Sequence, residues 1–120
     1  MATVNTSVNR DLVPGAIVIT YALTNADSGS AYPLGFSADL TVQVTGTFGS
    51  STVLLEGSND GTNWFTLTKR GTTTAASFTA AGGAMANENP AFIRTSSSGG
   101  TAATTSATVC IVPRYAKGMY

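Results

Sequence analysis

Whatever chemistry this 120-residue chain performs must come from six carboxylates, six Lys or Arg residues, one cysteine and one tryptophan, because it contains no histidine. The densest group is Glu56 followed by Ser58-Asn59-Asp60-Gly61-Thr62-Asn63-Trp64. Oxygen-bearing side chains around a glycine suggest a calcium loop, but calcium takes about six to eight oxygens, several from carboxylates. Glu56 and Asp60 are the only carboxylates here, and their spacing is not that of an EF-hand. The string reads better as a tight hairpin turn. Asn59 and Asp60 tolerate left-handed backbone and bond their own main chain, and Gly61 supplies a positive φ. Trp64, directly after the turn, is expected to plug one end of a hydrophobic core.

The remaining reactive groups do not assemble on paper. Without histidine there is no Ser-His-Asp triad, no Cys-His pair and no histidine metal ligand. The carboxylates Asp11, Asp27, Asp39, Glu56, Asp60 and Glu88 are dispersed, so no pair is placed to flank a glycosidic bond. Gly82-Gly83 and Gly99-Gly100 lack the Lys-Ser/Thr that completes a phosphate loop. Cys110 lies in the apolar run Ala107 to Val112 with no basic neighbour to lower its pKa, and reads as a small buried hydrophobe. A single cysteine forms no internal disulfide, so folding does not depend on an oxidising compartment. Arg94, in Phe92-Ile93-Arg94, has two readings. It pairs with Glu88 or Glu56, or it is an interface arginine. No catalytic residue, cofactor or metal is expected, and the chain reads as a non-enzyme.

Composition narrows the classes further. Six cations cancel six anions, and only 10% of residues are charged. Nucleic-acid binding needs a basic excess to displace counterions, so none is expected. A hydrophobic content of 42% is too high for a solvated, disordered chain. The longest apolar run, Ala16 to Ile19, is far too short for a membrane helix. Residues 1–10 are polar and lack the apolar stretch of a secretory signal, so folding in a cytoplasm is expected. Twenty Thr, twelve Ser and thirteen Gly make up more than a third of the chain. A neutral, hydroxyl-rich surface is poorly protected against association, which suits a surface covered by neighbouring molecules.

The elements that must position these residues are strands. Leu40, Val42, Val44, Gly46 and Phe48 alternate with Thr41, Gln43, Thr45 and Thr47, the two-residue period of a half-buried strand. Thr52–Ser58 and Trp64–Thr68 read as the next two strands, giving a meander joined at Gly49-Ser50-Ser51 and at the Asn59-Asp60-Gly61 hairpin. Further strands are expected at 16–23, 77–79, 92–96 and 101–112, with Pro113 ending the last, while 80–86 reads as a loop or single helical turn. The sum is a single antiparallel β-sandwich, jelly-roll or immunoglobulin-like, of about seven to eight strands. Residues 1–13 form an extended N-terminal arm, 14–113 the sandwich, and 114–120 a short C-terminal tail. Arg10, Asp11, Arg94, Arg114, Lys117 and Tyr120 are the candidate subunit contacts.

Two passages carry a resemblance: Leu40-Thr41-Val42-Gln43-Val44-Thr45-Gly46-Thr47-Phe48-Gly49 and Val53-Leu54-Leu55-Glu56-Gly57-Ser58-Asn59-Asp60-Gly61-Thr62-Asn63-Trp64. With the later Asn87-Glu88-Asn89-Pro90-Ala91-Phe92-Ile93-Arg94, they resemble small tailed-bacteriophage head decoration, or capsid cement, proteins over about half the chain. The resemblance implies a protein on the capsid exterior that binds the major capsid protein, made in the host cytoplasm and self-associating, as a trimer rather than a dimer. The string Ser58 to Trp64 is also similar to a hairpin of discoidin-type carbohydrate-binding sandwiches, which keeps a glycan-binding module, or another tail or neck component, as the alternative.

Overall fold

The structure is a computed structural model that describes residues 3–9, 17–24, 27–34, 37–99 and 106–115. These residues form β1 (Thr3–Val4), β2 (Ser7–Asn9), β3 (Val18–Leu23), β4 (Ser28–Gly29), β5 (Tyr32–Pro33), β6 (Ser37–Thr47), β7 (Thr52–Ser58), β8 (Phe65–Thr66), β9 (Ser77–Phe78), β10 (Gly82–Met85), β11 (Phe92–Ser98) and β12 (Ser106–Tyr115). One sheet has the order β1-β4-β11-β7-β8, with β5 paired to β11 and β9 to β7. The other has the order β10-β6-β12-β3-β2. The chain is all-β, as expected, and the described residues include no helix.

The period-2 pattern explains the core. Leu40, Val42 and Val44 from β6, Ile19 and Tyr21 from β3, and Val109 and Ile111 from β12 face Val53, Leu55 and Ile93 of the other sheet in one buried cluster. Full burial of each such side chain contributes on the order of 2 kcal/mol. Tyr21 is fully buried with its ring against Gly29, where a Cβ would fall 2.4 Å from the ring. Its hydroxyl donates to the Ser30 carbonyl at 2.7 Å, and burial pushes its pKa well above the usual phenol range. Thr95 is also fully buried, but its Oγ1 has no hydrogen-bond partner. An unpaired buried hydroxyl costs free energy. Thr95→Val is therefore expected to raise stability by about 1 kcal/mol, measured by urea unfolding.

Several expectations are corrected. The three-strand meander is not formed. β6 and β7 lie in different sheets, and only β7 and β8 make a hairpin. Residues Gly49 (φ 53°) and Ser50 (φ 66°) turn the chain across the core instead of alongside it. Alternation reports which face of a strand is buried but not which neighbour it pairs with, so an arch and a hairpin look alike in sequence. The segment at 80–86 contains strand β10, paired to β6 from Gly82↔Val44 to Met85↔Thr41. Pro113 does not end β12, which continues to Tyr115. β3 pairs with β12 only as far as Ile111, so at Pro113 one side of the strand no longer needs an N–H donor.

The expected terminal arms are also revised where they are described. Residues 3–9 are not a free arm. β1 pairs in parallel with β4 in one sheet, and β2 pairs antiparallel with β3 in the other. Residues 114–115 extend β12, and residues 1–2, 10–13 and 116–120 lie outside the described set. At the opposite side, Lys69 forms a bridge with Ala86, and the Arg70 N–H donates to the Met85 carbonyl at 2.7 Å, linking the sheets there.

Candidate functional site

The hairpin after β7 is built by its own side chains. The buried Ser58 Oγ accepts the N–H of Gly61 at 2.9 Å and donates to Asp60 Oδ1 at 2.9 Å. Asp60 Oδ1 also accepts the N–H groups of Thr62 and Asn63, each at 2.8 Å, and Oδ2 accepts the Asn63 side-chain amide at 2.8 Å. Gly61 has φ 77°. Both carboxylate oxygens are thus committed to the turn, which is a structural role. The Asn63 main-chain and side-chain bonds, followed by those from Thr62 and Ser58, hold the Asp60 carboxyl well below the usual carboxylate range.

The second resembling passage packs against this hairpin. The Ala91 N–H donates to Asn59 Oδ1 at 3.1 Å. A Cβ on Gly57 would fall 2.4 Å from the Pro90 side chain, so only glycine fits beneath the buried proline. Asn87 and Glu88 clasp the preceding turn. Glu88 Oε1 and Oε2 accept the Thr68 N–H at 2.8 Å and the Thr68 hydroxyl at 2.7 Å. The Asn87 side chain accepts from the Gly71 N–H and donates to the Lys69 and Thr72 carbonyls. Partial burial pushes the Glu88 pKa upward, but the bonds from Thr68 and from its own N–H outweigh it and leave the carboxyl below its ordinary value. These roles were not anticipated; the polar string Asn87-Glu88-Asn89 before Pro90 was their one trace in the sequence.

Arg94 is where these segments converge. It lies directly across from Glu56 on adjacent strands, and its Nε donates to Glu56 Oε1 at 2.9 Å. Its guanidinium carbon sits 4.3 Å from the Trp64 ring centroid, within range of a cation–π attraction. The side chains are 26% and 15% exposed for Arg94 and Glu56, so the pair is half-shielded from water. Of the two readings of Arg94, the structure supplies the carboxylate pair, with Glu56 as the partner. Trp64 is not a core plug. It is half-buried and absent from the buried cluster, because strand alternation after the turn puts it on the outer face, under Arg94. Arg10, Asp11, Lys117 and Tyr120 lie outside the described residues, and Arg114 is placed by its backbone alone, opposite Asp39.

The pattern holds across the molecule. Every charged side chain among the described residues has an intramolecular partner. Arg70 pairs with Asp39 at 2.9 Å, Lys69 sits 4.9 Å from the Phe78 ring centroid, and Asp27 accepts from the Thr24 N–H and hydroxyl. Asp60, Glu88, Glu56 and Arg94 are bonded as above. Among the described residues, no three of His, Cys, Asp or Glu gather in metal-binding distance.

The outer face of the five-stranded sheet is the other distinctive surface. Register aligns Gly83, Gln43, Cys110, Thr20 and Ser7 in one row, and Thr45, Thr108 and Ala22 in the next. No residue of β10, of β2 or β3, or of the facing stretches 41–47 and 106–112 is charged.

Stability should fall with acid through the two depressed carboxyls. Both have folded-state pKa values below their unfolded ones, so their contribution is complete above the ordinary carboxylate value of about 4 and is lost as pH falls below it. Asp60→Asn is expected to flatten this part of the stability profile between about pH 4 and pH 2, read by urea unfolding across pH. An unchanged slope would contradict the turn assignment.

No family model matches the chain, and no curated protein matches it. Among solved structures, it is similar to a cupin domain from Bordetella pertussis Tohama I, with 13% identity, a TM-score of 0.50, and coverage of 94% of this chain and 95% of that chain. At that identity the likeness is one of fold. Cupin folds commonly hold a metal on histidine and carboxylate side chains. This chain has no histidine, and the residues between its sheets are apolar ones such as Val42, Val44, Leu55 and Val109, so they do not fit such a centre. The two β-sheets enclosing one core are a cupin-like arrangement carrying a different set of side chains.

Proposed function

We propose that the chain is a non-enzymatic structural protein of a tailed-phage virion, binding the outside of the capsid and bridging major capsid protein subunits. The observation that carries this reading is the internal pairing of every described charged side chain, beside a broad sheet face with no charge at all. A general acid or base must be free to exchange a proton. These groups are bonded into turns, clasps and cross-strand pairs. What remains for solvent is hydroxyl-rich contact surface.

The mechanism is passive. Each subunit covers a boundary between capsid subunits and adds binding free energy that opposes their separation under the pressure of packaged DNA. Self-association of the decoration protein multiplies weak individual contacts into avidity. The working location is the virion exterior, reached from the host cytoplasm, with neither nucleic acid nor membrane as a partner. For the finer topology, the jelly-roll alternative is preferred to the immunoglobulin-like one. The crossing from β6 to β7 between sheets and the cupin-like fold both support it.

A glycan-binding module is the second reading, favoured by the neighbouring aromatics Trp64, half-buried, and Phe65, 43% exposed. The two readings separate in one comparison. Purified protein is expected to co-sediment with undecorated capsids and to give no signal on a glycan array. Array binding without capsid binding would replace the first reading with the second.

A further inference from the structure

We propose that two copies of this chain associate face to face through the outer surface of the five-stranded sheet, forming a two-fold dimer. This deepens the self-association in the reading above, and it concerns the isolated protein, so it does not depend on capsid attachment.

Electrostatics selects the occupant. The face built by β10, β6, β12, β3 and β2 carries no charged residue along its shared rows. A charged partner would lose water from its ions and find no counter-charge. A second copy brings the same neutral surface, with neither repulsion nor stranded charge. Its side chains suit self-pairing, because threonine and serine hydroxyls both donate and accept, so each can bond its own symmetry mate. The opposite face presents the Glu56–Arg94 pair and lacks this neutrality.

Shape points the same way. Thr45, Thr108, Ala22 and Gly83 are small, which lets two sheets approach to about 10 Å. An open groove of about 710 Å³ runs along β6 and β10, and Met85 at its rim is 37% exposed. A flexible thioether on an otherwise small-side-chain face supplies an apolar anchor. The neighbouring edge is already used in part, since the Met85 carbonyl accepts the Arg70 N–H. Five strands about 4.8 Å apart, over about seven residues each, give a face of roughly 500 Å². Two such faces bury roughly 1,000 Å², the lower bound for a specific interface. The dimer is therefore weak, with a Kd on the order of 10 µM. A contact of a face with itself closes at two copies, so it replaces the trimer implied by the resemblance.

Sedimentation velocity from about 1 µM to about 200 µM tests the proposal. Wild type is expected to shift from monomer to dimer across this range. Thr108→Arg and Gln43→Glu, which place like charges on the facing surfaces, are expected to weaken the dimer at least tenfold. Ala80→Arg, outside the face, should leave it unchanged. Gln43 is exposed, so that variant keeps the test decisive if Thr108→Arg fails to fold. A wild-type monomer throughout, a trimer, or a dimer indifferent to both face variants would overturn the proposal. Loss of capsid co-sedimentation in Gln43→Glu alongside a monomeric wild type would assign the face to the capsid instead. Failure of capsid binding with an intact dimer would leave this inference standing.

Discussion

Gly46→Val is expected to cost about 4 kcal/mol, enough to leave much of a marginally stable domain unfolded at physiological temperature. Gly46 holds φ 107°, a region that side chains with a Cβ rarely adopt. A Cβ there would fall 2.2 Å from the Ser106 carbonyl oxygen. That oxygen is backbone at the start of β12, which runs beside β6 for most of its length, so relief requires opening the central ladder of the five-stranded sheet. Gly71 separates strain from collision. It has φ 76° but open space around it, so Gly71→Val should lose only the conformational term, about 1 kcal/mol. Equal losses in the two variants, by urea unfolding, would show that the close approach at Gly46 contributes nothing.

Arg94→Ala is expected to destabilise the fold by about 2 to 3 kcal/mol. It leaves the Glu56 carboxylate half-shielded without its cation and uncovers Trp64. A fully buried broken pair would cost more, and solvent access to both partners reduces the loss. Arg94→Lys should recover part of it, because a lysine keeps the charge but not the planar fork that serves Glu56 and the indole together. Trp64 fluorescence gives a local readout, with the emission moving to longer wavelength in Arg94→Ala as water reaches the ring. An unshifted spectrum with full stability would show that the Glu56–Arg94–Trp64 group is ornamental. Loss of stability without a spectral change would separate the ion pair from the stacking.

Local structure was legible where one strand's residues decide the outcome. The alternation from Leu40 to Phe48 marks the inward side chains of β6, and Thr52–Ser58 matches β7 residue for residue. The Ser58–Asn63 turn follows from residue types that bond their own backbone. Pairings between distant segments were not legible. Gly49-Ser50 crosses between sheets because of what β6 and β7 find on either side, β12 and β11, far away in the chain. β10 escaped notice because Gly82-Gly83-Ala84 has no side-chain alternation to read; its strand geometry is imposed by β6. Trp64 was misplaced for a related reason. Burial of an aromatic depends on strand parity after the turn and on the arrival of Arg94, neither of which is local. The clasp by Asn87 and Glu88 likewise depends on Thr68 and Lys69 lying nearby in space.

The account's central claim is that the chain acts by covering and reinforcing a capsid surface. The most direct measurement is the temperature at which DNA-filled, undecorated capsids release their DNA, with and without saturating protein. The account predicts a higher release temperature in its presence, together with stoichiometric retention of the protein on the particles. An unchanged release temperature with no retained protein would contradict it.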